Sequence, residues 1–391
     1  MTIQPSPARL HGWRNAPCGR HARRSGLGNA ARVRVMYESL IRRISASTLA
    51  ALDSYGFSGD PSLLSSFTDP TRALLSGGKR VRGVLSISGA MCATGSAPSD
   101  DAVEVAAAIE LFQGAALVHD DIMDDSPTRR GLPAVHVQFS AEFESSDLAG
   151  DSQLFGRDAG ICSGDFLLAL ASSHMAAHAP TAANRRFQAM CAEVAFGQFL
   201  DIRAENIDLL ALLNSSDPSA ALLAARDNAF TVLRHKSAHY SVRDPLLIGA
   251  EAAGADEELL DILTRIGSPL GEAFQLRDDA LGVAGDPSTT GKPTGGDLRE
   301  GKRTVLILTA LARLAGTDRA HWIAESLGRD LDESDVRDIT DAIVESGAWE
   351  EHEALITERE DEARAAWDEL PAGPGRDALG ELMERLTGRT H

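Results

Sequence analysis

The stretch Leu117-Val118-His119-Asp120-Asp121-Ile122-Met123-Asp124-Asp125-Ser126 closes a long apolar segment and packs four carboxylates into six residues. Residues 101 to 125 are rich in Ala, Val, Leu and Ile without strand-like alternation, so they predict a buried helix with the aspartates at its C-terminal end. On such a helix Asp120 and Asp124 are spaced i,i+4 and Asp121 and Asp124 i,i+3, which sends their side chains to one side about a turn apart. Like charges that close repel. A hard divalent cation such as Mg²⁺, which takes oxygen ligands and shares them with substrate phosphates, would relieve the repulsion. A solvated acidic helix end is the alternative reading.

Outward from that helix the pattern stays helical. Residues 37 to 55, a segment opened by Asp69-Pro70 and closed by Gly77-Gly78, and 81 to 93 precede it. Apolar helical patterns resume at 160 to 177, 182 to 205, 218 to 243 and 256 to 283. Further helices are predicted at 302 to 315, 319 to 326, 333 to 347, 350 to 369 and 375 to 387. The polar segment 137 to 158 reads as a loop or lid, and Gly285 to Gly301 as a loop by its Gly and Pro breakers. The expectation is an all-α, single-domain bundle of long helices around a central apolar cavity, spanning 36–391.

The chain has 391 residues, 43% of them hydrophobic, with a net charge of -19. That balance argues against nucleic acid as a partner and requires local cations for any polyanionic substrate. No uninterrupted apolar run reaches the length of a membrane span. The four cysteines form no CxxC pair, and a reducing cytoplasm fits them; Cys162 and Cys191 read as buried thiols. Residues 1–35 hold seven arginines and no acidic residue, which predicts a disordered basic arm. A targeting peptide, or a true start at Met36, would look the same.

A second apolar helix ends in carboxylates at Phe274-Gln275-Leu276-Arg277-Asp278-Asp279. Two such ends facing each other across a bundle could hold several metal ions and draw off a diphosphate leaving group. Basic residues are placed to meet that anion. Gly77-Gly78-Lys79-Arg80-Val81-Arg82 permits close backbone approach, Arg129-Arg130 follow the first aspartates, Lys236 lies on the 218 to 243 helix, and Lys292 and Lys302 flank the second acidic loop. Each alone reads first as a surface cation.

The ordered set Gly77-Gly78-Lys79-Arg80-x-Arg82, Asp120-Asp121-x-x-Asp124 with Arg129-Arg130-Gly131 and His136, Gly164-Asp165, Gly197-Gln198-x-x-Asp201, Lys236-Ser237-Ala238, and Phe274-Gln275-x-x-Asp278-Asp279 followed by Gly285-Asp286 and Gly291-Lys292 closely resembles the trans-isoprenyl diphosphate synthases over about residues 36 to 310. The resemblance implies the type I isoprenoid synthase fold and condensation of isopentenyl diphosphate with an allylic diphosphate through a carbocation, in a homodimer. It implies several Mg²⁺ ions on Asp120, Asp124 and Asp278, with Asp121 and Asp279 in support. Arg129, Lys236, Lys292 and Lys302 would contact the allylic diphosphate. Lys79, Arg82, Gln113, Arg130 and the Gly78 backbone would hold isopentenyl diphosphate. Ser237, Gln275 and the Lys236 backbone carry oxygens that can stabilise a cation without attacking it. The departing pyrophosphate would take the proton.

Three positions depart from the family pattern. Gly282 stands where many members have a third aspartate, Ser237 replaces the more usual Thr, and Gly83 replaces a common Pro. Ala115 and Ala116, just over a turn below Asp120, leave the pocket open where short-chain members often have aromatics. Phe112 becomes the expected floor at about 1.5 Å rise per residue, implying a product of about twenty carbons or more, geranylgeranyl diphosphate first. A class I terpene cyclase and a non-catalytic subunit of a heteromeric prenyltransferase are the competing readings. His119 and His136 read as structural or functional alike, and Asp125 has no assigned part.

Overall fold

The computed structural model describes residues 27–56, 58–285 and 294–388. Helix α1 spans Leu27–Asp53, α2 Pro61–Ser76, α3 Val81–Thr94 and α4 Asp100–Met123. Ser99 caps α4 by accepting from the Ala102 amide, and Asp100 and Asp101 complement the positive end of its dipole. α4 is buried along most of its length and packs against α1, α3 and α6 (Ser152–His178). By length and composition it could cross a membrane, but 78% of its most apolar window lies inside the fold.

Helix α7 spans Thr181–Glu205, α8 Leu209–Leu213 and α9 Pro218–Val232. From α9 the chain passes without a break into a π-helical segment, Leu233–Arg243, and then into α10, Asp244–Ala252. α11, Glu257–Ala284, joins two apolar clusters. Leu263, Ile266 and Leu270 pack with Ile44, Val84 and Leu246, while Leu276 and Val283 pack with Leu306 and Ile307. A third cluster gathers Leu111, Phe112, Leu167 and Phe187 from α4, α6 and α7. Shorter helices, Gly296–Glu300 through Pro374–Thr387, complete the described chain.

Several boundaries differ from the sequence expectation. α1 starts at Leu27, inside the arm expected to be disordered; residues 1–26 lie outside the described residues. The expected lid 137 to 158 is mostly helix: α5 spans Val135–Glu144 and α6 starts at Ser152. Val135, Phe139 and Phe143 recur every fourth residue and are all buried, a helical period hidden by the polar residues between them. Thr128–Arg129 and Leu132–Pro133 pair as a short antiparallel ribbon, too brief to show alternation in sequence. Cys162 is exposed on α6 rather than buried, whereas burial pushes the Cys191 thiol up to about 12. Both follow from helix faces that composition does not orient.

Candidate active site

The acidic ends of α4 and α11 meet where two cavities join. An apolar cavity of about 530 Å³ is lined by Phe112, Ala115, Ala116 and Phe274, among others. A polar cavity of about 230 Å³ is lined by Arg129, Asp201, Asp279, Asp297 and Lys302. Asp120, Lys236, Ser237, Gln275 and Asp278 line both. Each aspartate cluster sits toward the C-terminal, partially negative end of its helix, so mutual repulsion and the dipole act in the same direction.

The carboxylates differ in what holds them. Asp121 is fully buried and accepts from Arg129 Nε at 2.6 Å, and its Oδ2 has no hydrogen-bond partner. Burial raises its pKa despite Arg129. Arg129 also reaches Asp120 Oδ2 at 3.3 Å. Asp124 lines neither cavity but feels Asp120, Lys302 and Lys236; burial first, and Asp120 next, push it up. Asp279 accepts from Gln275 Nε2 at 3.1 Å and is held well above the usual carboxylate range by burial and by Asp297. An all-oxygen donor set, with the pKa values of Asp121, Asp124 and Asp279 raised, fits a hard divalent ion.

Two lysines face this cluster. Lys236 pairs with Asp201 and lies 3.7 Å from Asp120, and Lys302 lies 2.6 Å from Glu300 and 3.9 Å from Asp297. Burial works against both charges, but the carboxylates outweigh it and raise both pKa values, so both remain cations at neutral pH. Lys236 and Ser237 lie in the π-helical segment, a distortion often found at functional sites. Gly197 of α7 makes that placement possible: a Cβ there would sit 2.4 Å from the Lys236 backbone nitrogen.

Arg82 and Gln113 also line the apolar cavity. Arg82 donates to Ser241 Oγ at 2.6 Å and lies 4.2 Å over the Tyr240 ring, whose hydroxyl donates to Gln113. Lys79 and Gly78 are exposed on the α2–α3 loop and line neither cavity. Arg130 donates to the Leu74 and Gly77 carbonyls at 2.9 and 2.7 Å, and its guanidinium lies 2.8 Å from where a Gly78 side chain would start. With a φ of +110° as well, that position requires glycine. Arg80, by contrast, is buried against Glu110 at 3.3 Å and is structural. Lys292 lies outside the described residues.

Asp201 stood in the family set without an assigned part, and Tyr240 and Asp297 were not among the expected site residues. Asp297 bears on the Gly282 departure, because a Cβ at Gly282 would lie 2.1 Å from its Oδ2. The volume beside the missing third aspartate is therefore occupied by a carboxylate from the next helix.

Residues 65–343 match the polyprenyl synthetase family. The chain belongs to that family. This synthetase is 30% identical over 330 residues to the geranylfarnesyl diphosphate synthase of Aeropyrum pernix, covering 80% of this chain and 91% of that protein. It is 30% identical to the geranylgeranyl diphosphate synthase of Mycobacterium tuberculosis, covering 81% and 82%. Among solved structures it resembles geranylgeranyl pyrophosphate synthase from Corynebacterium glutamicum complexed with isoprenyl diphosphate and magnesium, with 34% identity, a TM-score of 0.75 and coverage of 91% and 98%. The all-α fold is that of the isoprenyl diphosphate synthases, and the synthetase is a prenyltransferase.

Proposed function

We propose that the synthetase condenses isopentenyl diphosphate head-to-tail with an allylic diphosphate and releases geranylgeranyl diphosphate or a longer chain, using several Mg²⁺ ions. The observation that carries this is the junction of an apolar and a polar cavity at Asp120 and Asp278. Asp120, Asp124 and Asp278 would hold the ions, which supply charge neutralisation to the leaving diphosphate. Asp121, tied to Arg129, and Asp279, tied to Gln275, keep that set in place.

Lys236, Lys302 and Arg129 stay cationic beside the polar cavity and bind the allylic diphosphate. Arg82 and Gln113 orient isopentenyl diphosphate with Arg130, whose pKa is lowered by burial and by the neighbouring Arg80, as expected where anionic charge is in short supply. Because the Gln275 amide nitrogen is engaged by Asp279, its oxygen remains to stabilise positive charge, as do Ser237 and the Lys236 carbonyl. The apolar walls exclude water from the carbocation.

Phe112 forms the floor. It packs edge-on against Phe187 and Tyr240, each 5.9 Å away between ring centroids, while Ala115 and Ala116 leave the shaft above it open. A cytoplasmic homodimer of one domain, opening with α1 at Leu27, completes the proposal. Leu154 and Ile161 of α6 and Phe196 of α7 are all more than 40% exposed, a face suited to a second copy. Asp278→Asn tests the site: turnover with Mg²⁺ is expected to fall on the order of a hundredfold or more at unchanged helicity, and near-wild-type turnover would remove Asp278 from the reaction.

A further inference from the structure

At the N-terminal half of α4, on the far side of the bundle from the aspartates, Glu104 faces His174 and His178 of α6. The histidines are spaced i,i+4 and so project from one helix face. His174 Nε2 lies 2.9 Å from Glu104 Oε2, and the three side chains can present one ligand atom each with all of these within 4.8 Å of one another. The imidazole centroids are 4.6 Å apart. Ser47 of α1 donates to the same carboxylate at 2.5 Å, so three helices converge on the group. Asp120 lies about 24 Å along the α4 axis at 1.5 Å rise per residue, which makes the group independent of the catalytic cavities.

We propose that Glu104, His174 and His178 form a binding site for a borderline divalent transition metal, with Zn²⁺ as the type ion. Zn²⁺ bonds of 2.0–2.1 Å to imidazole and carboxylate set ligand–ligand separations near 3.4 Å on a tetrahedron. His174 Nε2 and Glu104 Oε2 already lie closer than that, and the remaining separations stay within 4.8 Å, a range that side-chain rotation can adjust. Two imidazoles and one carboxylate select Zn²⁺ over Mg²⁺, which demands oxygen ligands. As the metal replaces the proton between His174 and Glu104, that proton shifts to Nδ1, and water fills the fourth position. Ser47 then orients the ligating carboxylate from outside, the part an outer-shell hydrogen bond plays.

A second group, Glu193 with His235 and His239, has similar spacing but a different charge balance. Arg243 already sits 3.3 Å from Glu193 Oε2, so a cation holds that position. Among the described residues no Arg or Lys pairs with Glu104. The bound ion would pin α1, α4 and α6 together at the end of the bundle away from catalysis, and any ligand of the folded state raises its stability.

The test uses the full chain, stripped of metal and then saturated with Mg²⁺, titrated with Zn²⁺ alone. One equivalent is expected to bind with a rise in Tm. His178→Gln, which spares the His174–Glu104 contact, should weaken binding at least about tenfold, the loss that even an outer-shell partner can cause. His235→Gln with His239→Gln should leave it unchanged. Zn²⁺ affinity that is absent, indifferent to His178→Gln, or lost with the His235 and His239 pair would overturn the site. Co²⁺ added to the unaltered protein gives an answer that does not depend on any variant folding. Intense visible absorption from a low-coordinate, imidazole-ligated ion supports the proposal, and only the weak absorption of six-coordinate Co²⁺ contradicts it.

Discussion

Gly282 shows how one residue can mislead and then inform. Read alone, it is a lost carboxylate; in the fold it is the space that Asp297 fills. Alanine is the better helix former by about 1 kcal/mol, which offsets part of the cost of moving Asp297, so Gly282→Ala should leave the protein folded. Its Cβ would displace the Asp297 carboxylate and disturb the outer shell of the metal cluster, raising the Mg²⁺ concentration for half-maximal activity by about tenfold or more. A Mg²⁺ titration of activity beside a melting curve checks both halves, and an unchanged Mg²⁺ requirement would separate Asp297 from the metals. Local chemistry made Asp120 and Asp278 readable as candidates because their acidic runs are close in the chain, whereas Lys236 gained its part only through the family resemblance. The partners that hold them were not legible: Asp201 reaches Lys236, and Tyr240 reaches Gln113, only through tertiary packing.

At the scale of elements, α4 has two jobs. Its C-terminal end presents the aspartates, and Ala116, Ala115 and Phe112 further back line the apolar cavity. Phe112→Ala is expected to lengthen the product by at least one isoprene unit and, because Phe112 is packed by Phe187 and Tyr240, to cost about 3 kcal/mol of stability. Product chromatography checks the first; an unchanged chain length would move the floor elsewhere. The long apolar helices were readable from sequence because their periodicity is strong. α5 was not, since its apolar residues are interleaved singly with polar ones and resemble a loop until Val135, Phe139 and Phe143 are seen buried. The π-helical segment has no sequence period of its own; it arises where Gly197 lets α7 approach the Lys236 backbone.

At the scale of the molecule, a strongly acidic chain concentrates Arg82, Arg129, Lys236 and Lys302 around one pair of cavities, a local reversal of charge suited to an anionic ligand. The exposed apolar face of α6 and α7 predicts association. Ile161→Asp with Phe196→Asp should convert a dimer to a monomer by light scattering, while a mass that does not change would place the interface elsewhere or remove it. The central claim concerns chemistry, and the purified protein tests it directly: incubate with labelled isopentenyl diphosphate and Mg²⁺ across allylic primers of increasing length, then resolve the products. Condensed product is expected, ending at geranylgeranyl diphosphate or longer and abolished by chelating the metal. A cyclic hydrocarbon formed only from a preformed long diphosphate, or no incorporation from any primer, would contradict it.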